Sequence, residues 1–361
     1  MTSICLSVKL KIYVKINENY TRFIKIRVII ISRKELYMII EQKYIKEANM
    51  KKLLIATIPN MIEKQDTKEL AKFCDIDWIV KDNINEVELA NKAKEYDYLM
   101  LNFDIIENLT EEFYNIVKNT RLKVISTDIT GMDWAKPKMA KESGIYLLNT
   151  TNYCTESVAE YTITQILLYC KQFHLTYKDI RENKTPEARK TINILNKTIG
   201  IVGLGNIGTR VAEIANAMGM KVIAYNHRPK QIENVEMVDL QTLFKRSDFI
   251  SLHLKTIPNK TVGIITKDLL KLCKPNCFIE NQADYKLLVQ EDLKWALENK
   301  IIAGYGATLK ENTQDIEHFD NVILSPANAW NSDESMENLK NIWINNILEF
   351  EKGNIINLVE E

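Results

Sequence analysis

One segment, residues 197–225, constrains the fold more than any other part of the sequence. A short apolar run typical of a buried strand (TIGIV) leads into Gly203, Gly205 and Gly208, which have GxGxxG spacing. TRVAEIANAM follows with helical periodicity, and KVIAY has the composition of a second strand. Glycines at this spacing occur often by chance, but between a strand and a helix they are typical of a dinucleotide-binding unit.

Each glycine has its own physical role in such a unit. Gly203 permits a tight turn, Gly205 lets the backbone approach a pyrophosphate, and Gly208 lets the helix pack on the strand. Free amides at the helix N-terminus, near Asn206 and Ile207, attract phosphates. The sequence therefore predicts a dinucleotide bound by these five residues, and the alternative is a turn that serves packing alone.

The end of the second strand indicates which dinucleotide is bound. Asn226 lies 18 residues after Gly208 (226 − 208 = 18), near the distance of about 20 at which an acidic residue holds the ribose of NAD. An amide does not repel a 2′-phosphate, and His227 and Arg228 follow it directly. The pattern favours NADP(H) over NAD(H), unless Arg228 is only a solvated turn residue before Pro229.

The chain after Met50 alternates strand-length apolar runs with helical segments. This pattern predicts an α/β protein with two Rossmann-like or flavodoxin-like parallel-sheet lobes. TESVAEYTITQILLYCKQF is predicted to be a long helix that links the lobes, with Ser157 and Glu160 as a capping box. The polar stretch at 175–196, which contains a proline, is predicted to be a hinge or a surface excursion.

Composition restricts the partners. The 48 basic and 48 acidic residues balance, so we expect neither nucleic acid nor an anionic membrane as a partner. No apolar run reaches the roughly 18 residues of a membrane helix, and we expect a cytoplasmic location. Six cysteines without CxxC spacing predict reduced thiols and no metal site.

Residues 1–49 differ in composition from the rest of the chain, since they are rich in Lys, Arg and Ile and contain no glycine or proline. The segment MKKLLIATIPN, which begins at Met50, is typical of a natural start that leads into a buried strand. We expect residues 1–49 to be a non-native or disordered extension that adds nothing to the fold. The alternative is a basic amphipathic arm that packs on a partner.

Several segments together resemble the D-isomer-specific 2-hydroxyacid dehydrogenases over nearly all of residues 50–340. They are GIYLLNTTNYCTESVAEYT, KTIGIVGLGNIG, SDFISLHLKTIPNKTVGIITKDLLKLCKPNCFIEN, EDLKWALENKIIAGYGAT and VILSPANAW. The resemblance implies a substrate lobe at 50–152 plus 332–361 and an NAD(P)-binding Rossmann lobe at 153–331. It also implies a small-molecule ligand in the cleft between the lobes and a homodimer formed through the cofactor lobe.

The family's chemistry requires three side chains. Hydride transfer to or from C2 of a 2-hydroxy or 2-oxo acid needs a cation for the carboxylate, a proton donor, and a carboxylate that orients the donor. In the family these are an arginine, a histidine and a glutamate. The matching positions here hold Asp284, Ala327 and Thr313.

Other cleft positions also depart from the family pattern. Thr308 replaces an aspartate that steadies the nicotinamide, and Lys255 replaces a proline beside the cofactor, whereas Ala283 is retained. A loop slip of two residues would offer Tyr285 as a donor and Lys286 as a cation. Both residues could equally be surface side chains on a turn.

Two further features bear on the site. The loop DITGMDW offers backbone amides near Thr130 and Gly131 that could hold an anion. His253, inside the apolar run FISLHL, is predicted to be a core histidine rather than a catalytic one.

The sequence thus predicts an NAD(P)-binding oxidoreductase whose chemistry is altered or reduced. In the first hypothesis its substrate is neutral or cationic where the family's substrate is anionic, and Asp284 is the electrostatic partner. The alternative is a catalytically inactive NAD(P)H-binding sensor or interaction protein. The weakest hypothesis keeps the ordinary dehydrogenase activity with substitute residues.

Overall fold

The computed structural model describes residues 50–228, 230–309 and 315–360. Residues 1–49, and with them the predicted extension, lie outside this part of the chain, as does Thr313. No helix in these ranges is long and apolar enough to cross a membrane.

The first lobe contains a five-stranded parallel sheet with the strand order β2-β1-β3-β4-β5. Apolar residues at most positions of these strands explain why both sheet faces are buried. The strands are β1 (Lys51–Thr57), β2 (Cys74–Val80), β3 (Tyr98–Leu101), β4 (Val124–Thr127) and β5 (Tyr146–Leu148).

The second lobe contains a seven-stranded parallel sheet with the order β12-β11-β10-β9-β6-β7-β8. Its strands are β6 (Thr198–Val202), β7 (Lys221–Tyr225), β8 (Val235–Met237), β9 (Phe249–Leu252), β10 (Phe278–Asn281), β11 (Gly304–Thr308) and β12 (Val322–Ser325). The order reverses beside β6, where ligands of doubly wound sheets bind. The predicted fold class, two parallel-sheet α/β lobes, is confirmed.

Ten α-helices of the described residues flank the sheets. They are α1 (Glu86–Ala93), α2 (Glu111–Val117), α3 (Pro137–Glu142), α4 (Thr155–Lys171), α5 (Phe173–Arg181), α6 (Asn206–Ala217), α7 (Leu240–Arg246), α8 (Lys267–Leu270), α9 (Gln290–Glu298) and α10 (Asp333–Glu351). Helix α4 packs on the second lobe, where Ile163 and Ile166 join the core beneath α6.

The start and the end of the long helix differ from the prediction. Helix α4 begins at Thr155 without a side-chain cap, so the capping box was wrong: Ser157 lies inside the first turn and its Oγ donates to the Ala329 carbonyl at 2.7 Å. Gln172, in the left-handed region with φ of 56°, ends α4 and starts α5. The predicted excursion is therefore helical up to Arg181.

The C-terminal helix α10 packs on the first sheet. Trp343 is fully buried there with Leu53 and Ile55, and its Nε1 donates to the Ser126 carbonyl at 2.9 Å. Burying an indole of this size with its N–H bonded contributes a few kcal/mol, on the order of 3. This contact ties the end of the chain to its first lobe.

Candidate functional site

A cavity of about 540 Å³ lies in the cleft between the two sheets. Both lobes contribute to its walls, since the lining comes from loops after β4 and β5 and from the carboxyl ends of β9 and β10. The lining residues are Thr130, Gly131, Asn149, Val158, Ile207, His253, Leu254, Lys255, Thr256, Gln282, Ala283 and Asp284.

The glycine turn forms one end of this cleft, between β6 and α6. Gly203 has φ of 103°, a conformation that L side chains rarely adopt. A Cβ on Gly208 would lie 2.0 Å from the Gly203 carbonyl oxygen, whereas a Cβ on Gly205 would meet nothing within 4 Å. The fold therefore needs Gly208, but it leaves the space beside Gly205 open.

The start of α6 is suited to phosphate. Gly205 is its N-cap and provides no side-chain cap, so the first amides of the helix remain available to an anion. Ile207 lines the cleft, and the Asn206 amide donates to Asn152 Oδ1 across the lobes. These residues fit the pyrophosphate of a dinucleotide.

The end of β7 brings polar groups back to the glycine turn. Asn226 Oδ1 accepts from the Leu204 amide at 3.1 Å, and Asn226 Nδ2 donates to the Arg228 carbonyl at 2.7 Å. His227 and Arg228 are exposed beside it. The Asn226 side chain thus supports the turn itself.

Lys230 is a residue of this region that the sequence reasoning missed. Its Nζ donates to the Leu204 carbonyl at 3.1 Å and lies 3.3 Å from Thr209 Oγ1. A cation is therefore held directly against the glycine turn. Its place in the run HRPK, one residue past the proline, was the available signal.

Opposite charges line the other end of the cleft. Asp284 is half-buried and Lys255 is exposed, and neither forms an ion pair with any residue in the described ranges. Asp284 Oδ1 accepts from the Lys286 amide at 3.0 Å, which caps the short 3-10 helix Tyr285–Leu287. Asp284 therefore lines the cavity, whereas Tyr285 and Lys286 are not among its lining residues.

Ala327 lies in an exposed turn after β12, where its carbonyl accepts from Trp330 Nε1 at 2.8 Å. It is not among the residues that line the cavity. A methyl group at this position has no proton to transfer.

His253 is a second residue that the sequence reasoning undervalued. It follows β9 and lines the cavity, and its Nε2 lies 2.7 Å from Ser251 Oγ. Burial lowers its pKa to about 4, so the imidazole is neutral at neutral pH. Its position at the carboxyl end of a strand, where ligands of such sheets bind, was the missed signal.

The loop after β4 supplies potential anion donors. Thr130 Oγ1 donates to the Thr150 carbonyl at 2.7 Å, and Asn149 Nδ2 donates to the Thr130 carbonyl at 2.8 Å. The amides of Thr130 and Gly131 form no hydrogen bond within the described part of the chain. They are free to bind a ligand oxygen.

Thr308, at the end of β11, bonds to a neighbouring side chain of the cleft. Its Oγ1 donates to Gln282 Oε1 at 2.9 Å, and Gln282 Nε2 donates to Glu280 Oε1 at the same distance. Glu280 is fully buried on β10. This buried acid lies in an apolar run, and the sequence reasoning did not identify it.

Comparison with known proteins identifies the family. A family model described as "D-isomer specific 2-hydroxyacid dehydrogenase, NAD binding domain" matches residues 163–329. A hydroxypyruvate reductase of Thermotoga maritima is 33% identical over 263 residues, which are 68% of this chain and 84% of that protein. The chain belongs to the D-isomer-specific 2-hydroxyacid dehydrogenase family. The resemblance seen in the sequence is confirmed, and with it an NAD-binding, oxidoreductase-like protein with a small-molecule ligand.

Other relatives differ in length or in ligand. A D-3-phosphoglycerate dehydrogenase of Synechocystis is 32% identical over 72% of this chain, but the match spans only 48% of that protein. An acyclic imino acid reductase in complex with NADPH and D-Arg has a TM-score of 0.76 and 27% identity, covering 86% of this chain and all of its own. An NAD-complexed family member from Lactobacillus delbrueckii, 23% identical with a TM-score of 0.74 over 85% of this chain and 100% of its own, shares the fold.

Proposed function

We propose that the protein is an NAD(P)H-dependent oxidoreductase that does not use the family's Arg/Glu/His chemistry. The observation that carries this proposal is Asp284 on the cleft wall, where the family has an arginine. A carboxylate there repels a substrate carboxylate and attracts a cation. The substrate is therefore neutral or cationic at the group that contacts Asp284.

The chemistry follows from that charge. When bound at the glycine turn, the dinucleotide would supply a hydride, with its two electrons, to the carbon of a C=O or C=N group, and a proton from solvent would go to the oxygen or nitrogen. Asp284 stabilises a positive charge beside the acceptor, and the Thr130 and Gly131 amides bind an oxygen of the same molecule. The NADPH and D-Arg present in the imino acid reductase support a cationic, nitrogen-containing substrate class.

For the dinucleotide we propose a preference for NADP(H). Asn226 is neutral, and the exposed His227 and Arg228 follow it next to Lys230, which contacts the glycine turn. Arginine and lysine side chains grip a 2′-phosphate. An acidic residue that would repel this phosphate is not present at position 226.

A homodimer is also proposed, formed through α5 of the cofactor lobe. Phe173, Tyr177 and Ile180 recur at helical spacing and are 51%, 62% and 54% exposed. Such an apolar stripe favours a protein partner. Tyr177→Glu should shift the sedimentation coefficient from dimer to monomer, whereas Phe73→Glu, at an exposed site of the other lobe, should leave it unchanged.

We propose the domain division at 50–152 plus 332–361 and 153–331. It is supported by the packing of Trp343 on the first sheet and of α4 on the second. The lobes then meet at the cavity, and substrate binding would close them.

The alternative function, a catalytically inactive NAD(P)H sensor, is favoured by the joint replacement at positions 284, 308, 313 and 327. Under that alternative, cofactor binding closes the lobes and changes the surface offered to a protein partner.

One experiment separates these functions. The full-length protein is given NADPH with glyoxylate or hydroxypyruvate, with and without methylamine, which converts part of the oxo acid to the imine. Oxidation of NADPH only with the amine supports the proposal. Oxidation by the oxo acid alone contradicts it, and tight binding without any oxidation supports the sensor.

A further inference from the structure

Glu280 is a buried acid that forms no ion pair with any residue in the described ranges. It is fully buried on β10, and its Oε2 has no hydrogen-bond partner in the described ranges. Its Oε1 accepts only from Gln282 Nε2, at 2.9 Å. Burying a carboxyl group in this way costs stability, so its presence favours a functional explanation.

A second unpartnered acceptor lies beside the neighbouring strand. Gln165 on α4 is buried, and its Oε1 has no partner among the described residues. A Cβ on Gly306 would lie 3.1 Å from this oxygen, and Gly306 pairs with Glu280 in the register of β10 and β11. Gln165 Oε1 thus lies beside the strand position that pairs with Glu280.

A neutral, protonated Glu280 explains this arrangement. Burial raises the pKa of Glu280 to about 8, so the group carries a proton at neutral pH. Protonation turns the unpartnered oxygen Oε2 from an acceptor into a hydroxyl, and the other oxygen still accepts from Gln282.

Gln282 is held at both ends of its amide. Thr308 Oγ1 donates to its Oε1 at 2.9 Å, and its Nε2 donates to Glu280. Nε2 carries a second N–H, which forms no hydrogen bond with a described residue, and the side chain lines the cleft. A side chain ordered before binding loses little rotamer entropy when it bonds a ligand.

We propose that Gln282 orients the nicotinamide end of the bound dinucleotide by hydrogen bonding to its carboxamide, and that Glu280 is the positioning residue that holds Gln282. This pair takes over the task of the carboxylate that Thr308 has replaced. The inference rests on the proposed dinucleotide binding.

The test compares two ligands that differ only at the nicotinamide end. NADH and ADP-ribose are titrated into the full-length protein by calorimetry, for the wild type and for Gln282→Leu. We expect Gln282→Leu to weaken NADH binding about five- to tenfold, the effect of one to two lost hydrogen bonds, and to leave ADP-ribose binding unchanged. If Gln282 only supports the fold, its substitution would weaken the binding of both ligands equally, and that result would overturn the proposal.

Glu280 variants test the positioning role. Glu280→Gln keeps a neutral donor and an acceptor, so NADH affinity should stay within about twofold of the wild type. Glu280→Leu removes both the donor and the acceptor, and it should weaken NADH binding as much as Gln282→Leu does. If Glu280→Leu does not fold, the Glu280→Gln result still decides: a NADH-specific loss of about fivefold or more would contradict a neutral Glu280. If wild-type protein binds neither ligand, the proposed dinucleotide function fails first.

Discussion

The two ends of the cleft differ in the groups that they offer to a ligand. At the dinucleotide end, Gly203, Gly205 and Gly208 form the expected turn before α6. At the other end, the charged side chain of Asp284 lines the cavity, and under the proposed function it takes the place of the family's arginine. Dinucleotide binding depends on backbone amides and space, whereas catalysis depends on particular side chains. The side chains at the catalytic end can therefore change while dinucleotide binding is retained.

The largest expected effect is on dinucleotide binding. Gly205→Val should abolish NADPH binding, a loss of at least about a hundredfold, because the side chain fills the open space beside the turn. The fold should survive, since a Cβ there meets nothing within 4 Å. Calorimetric titration and thermal unfolding measure the two effects. In Gly208→Ala the new Cβ would lie 2.0 Å from the Gly203 oxygen, so this variant should lose stability as well as binding. Equal unfolding temperatures for the two variants would contradict this difference.

The next effect is on stability at alkaline pH. The pKa of Glu280 in the folded protein is about 8, above its ordinary value of 4.5. The contribution of Glu280 to the free energy of unfolding is therefore complete below about pH 4.5 and is lost as the pH rises to about 8. Between about pH 6 and pH 9 the free energy of unfolding should fall by about 2 to 3 kcal/mol.

Urea unfolding of Glu280→Gln provides the control for that loss. The variant should lose much less stability over the same range, because it has no proton to release. His253, whose pKa burial lowers to about 4, acts only at acidic pH. Identical pH profiles for the variant and the wild type would mean that Glu280 does not titrate in this range.

A third, smaller effect should sharpen the assignment of the dinucleotide. Arg228→Ala together with Lys230→Ala should weaken NADPH binding about tenfold and NADH binding little, because one phosphate contact is worth about 1.4 kcal/mol. Competitive titration with both dinucleotides measures it. An equal loss for NADH would show that these cations serve the pyrophosphate or the turn instead.

The smallest effect concerns the other end of the cleft. Asp284→Asn keeps the cap on the Lys286 amide but removes the charge, so KM for a cationic substrate should rise about fivefold while a neutral substrate is unaffected. Steady-state kinetics on both substrates tests this. An equal change in KM for the two substrates would show that the charge of Asp284 does not take part in substrate binding.

Local patterns in the sequence predicted the sheets and the glycine turn because these depend on residues close together in the chain. TIGIV and KVIAY coincide with β6 and β7. The start of α4 was not predictable, since Ser157 bonds Ala329, which lies far along the chain. Lys230 was missed for the same reason, since its partner Leu204 lies far from it in the sequence. Glu280 was missed because its complete burial depends on the packing around β10 and not on its bonded neighbour Gln282.

We propose that the dinucleotide end of the cleft is retained and that the family's catalytic end has been replaced. A fluorescence titration of the full-length protein with NADPH, followed by hydroxypyruvate in the same cuvette, measures both ends at once. We predict micromolar binding, roughly −8 kcal/mol, and no loss of NADPH fluorescence after the oxo acid is added. Failure to bind millimolar NADPH, or prompt oxidation by hydroxypyruvate, would contradict this conclusion.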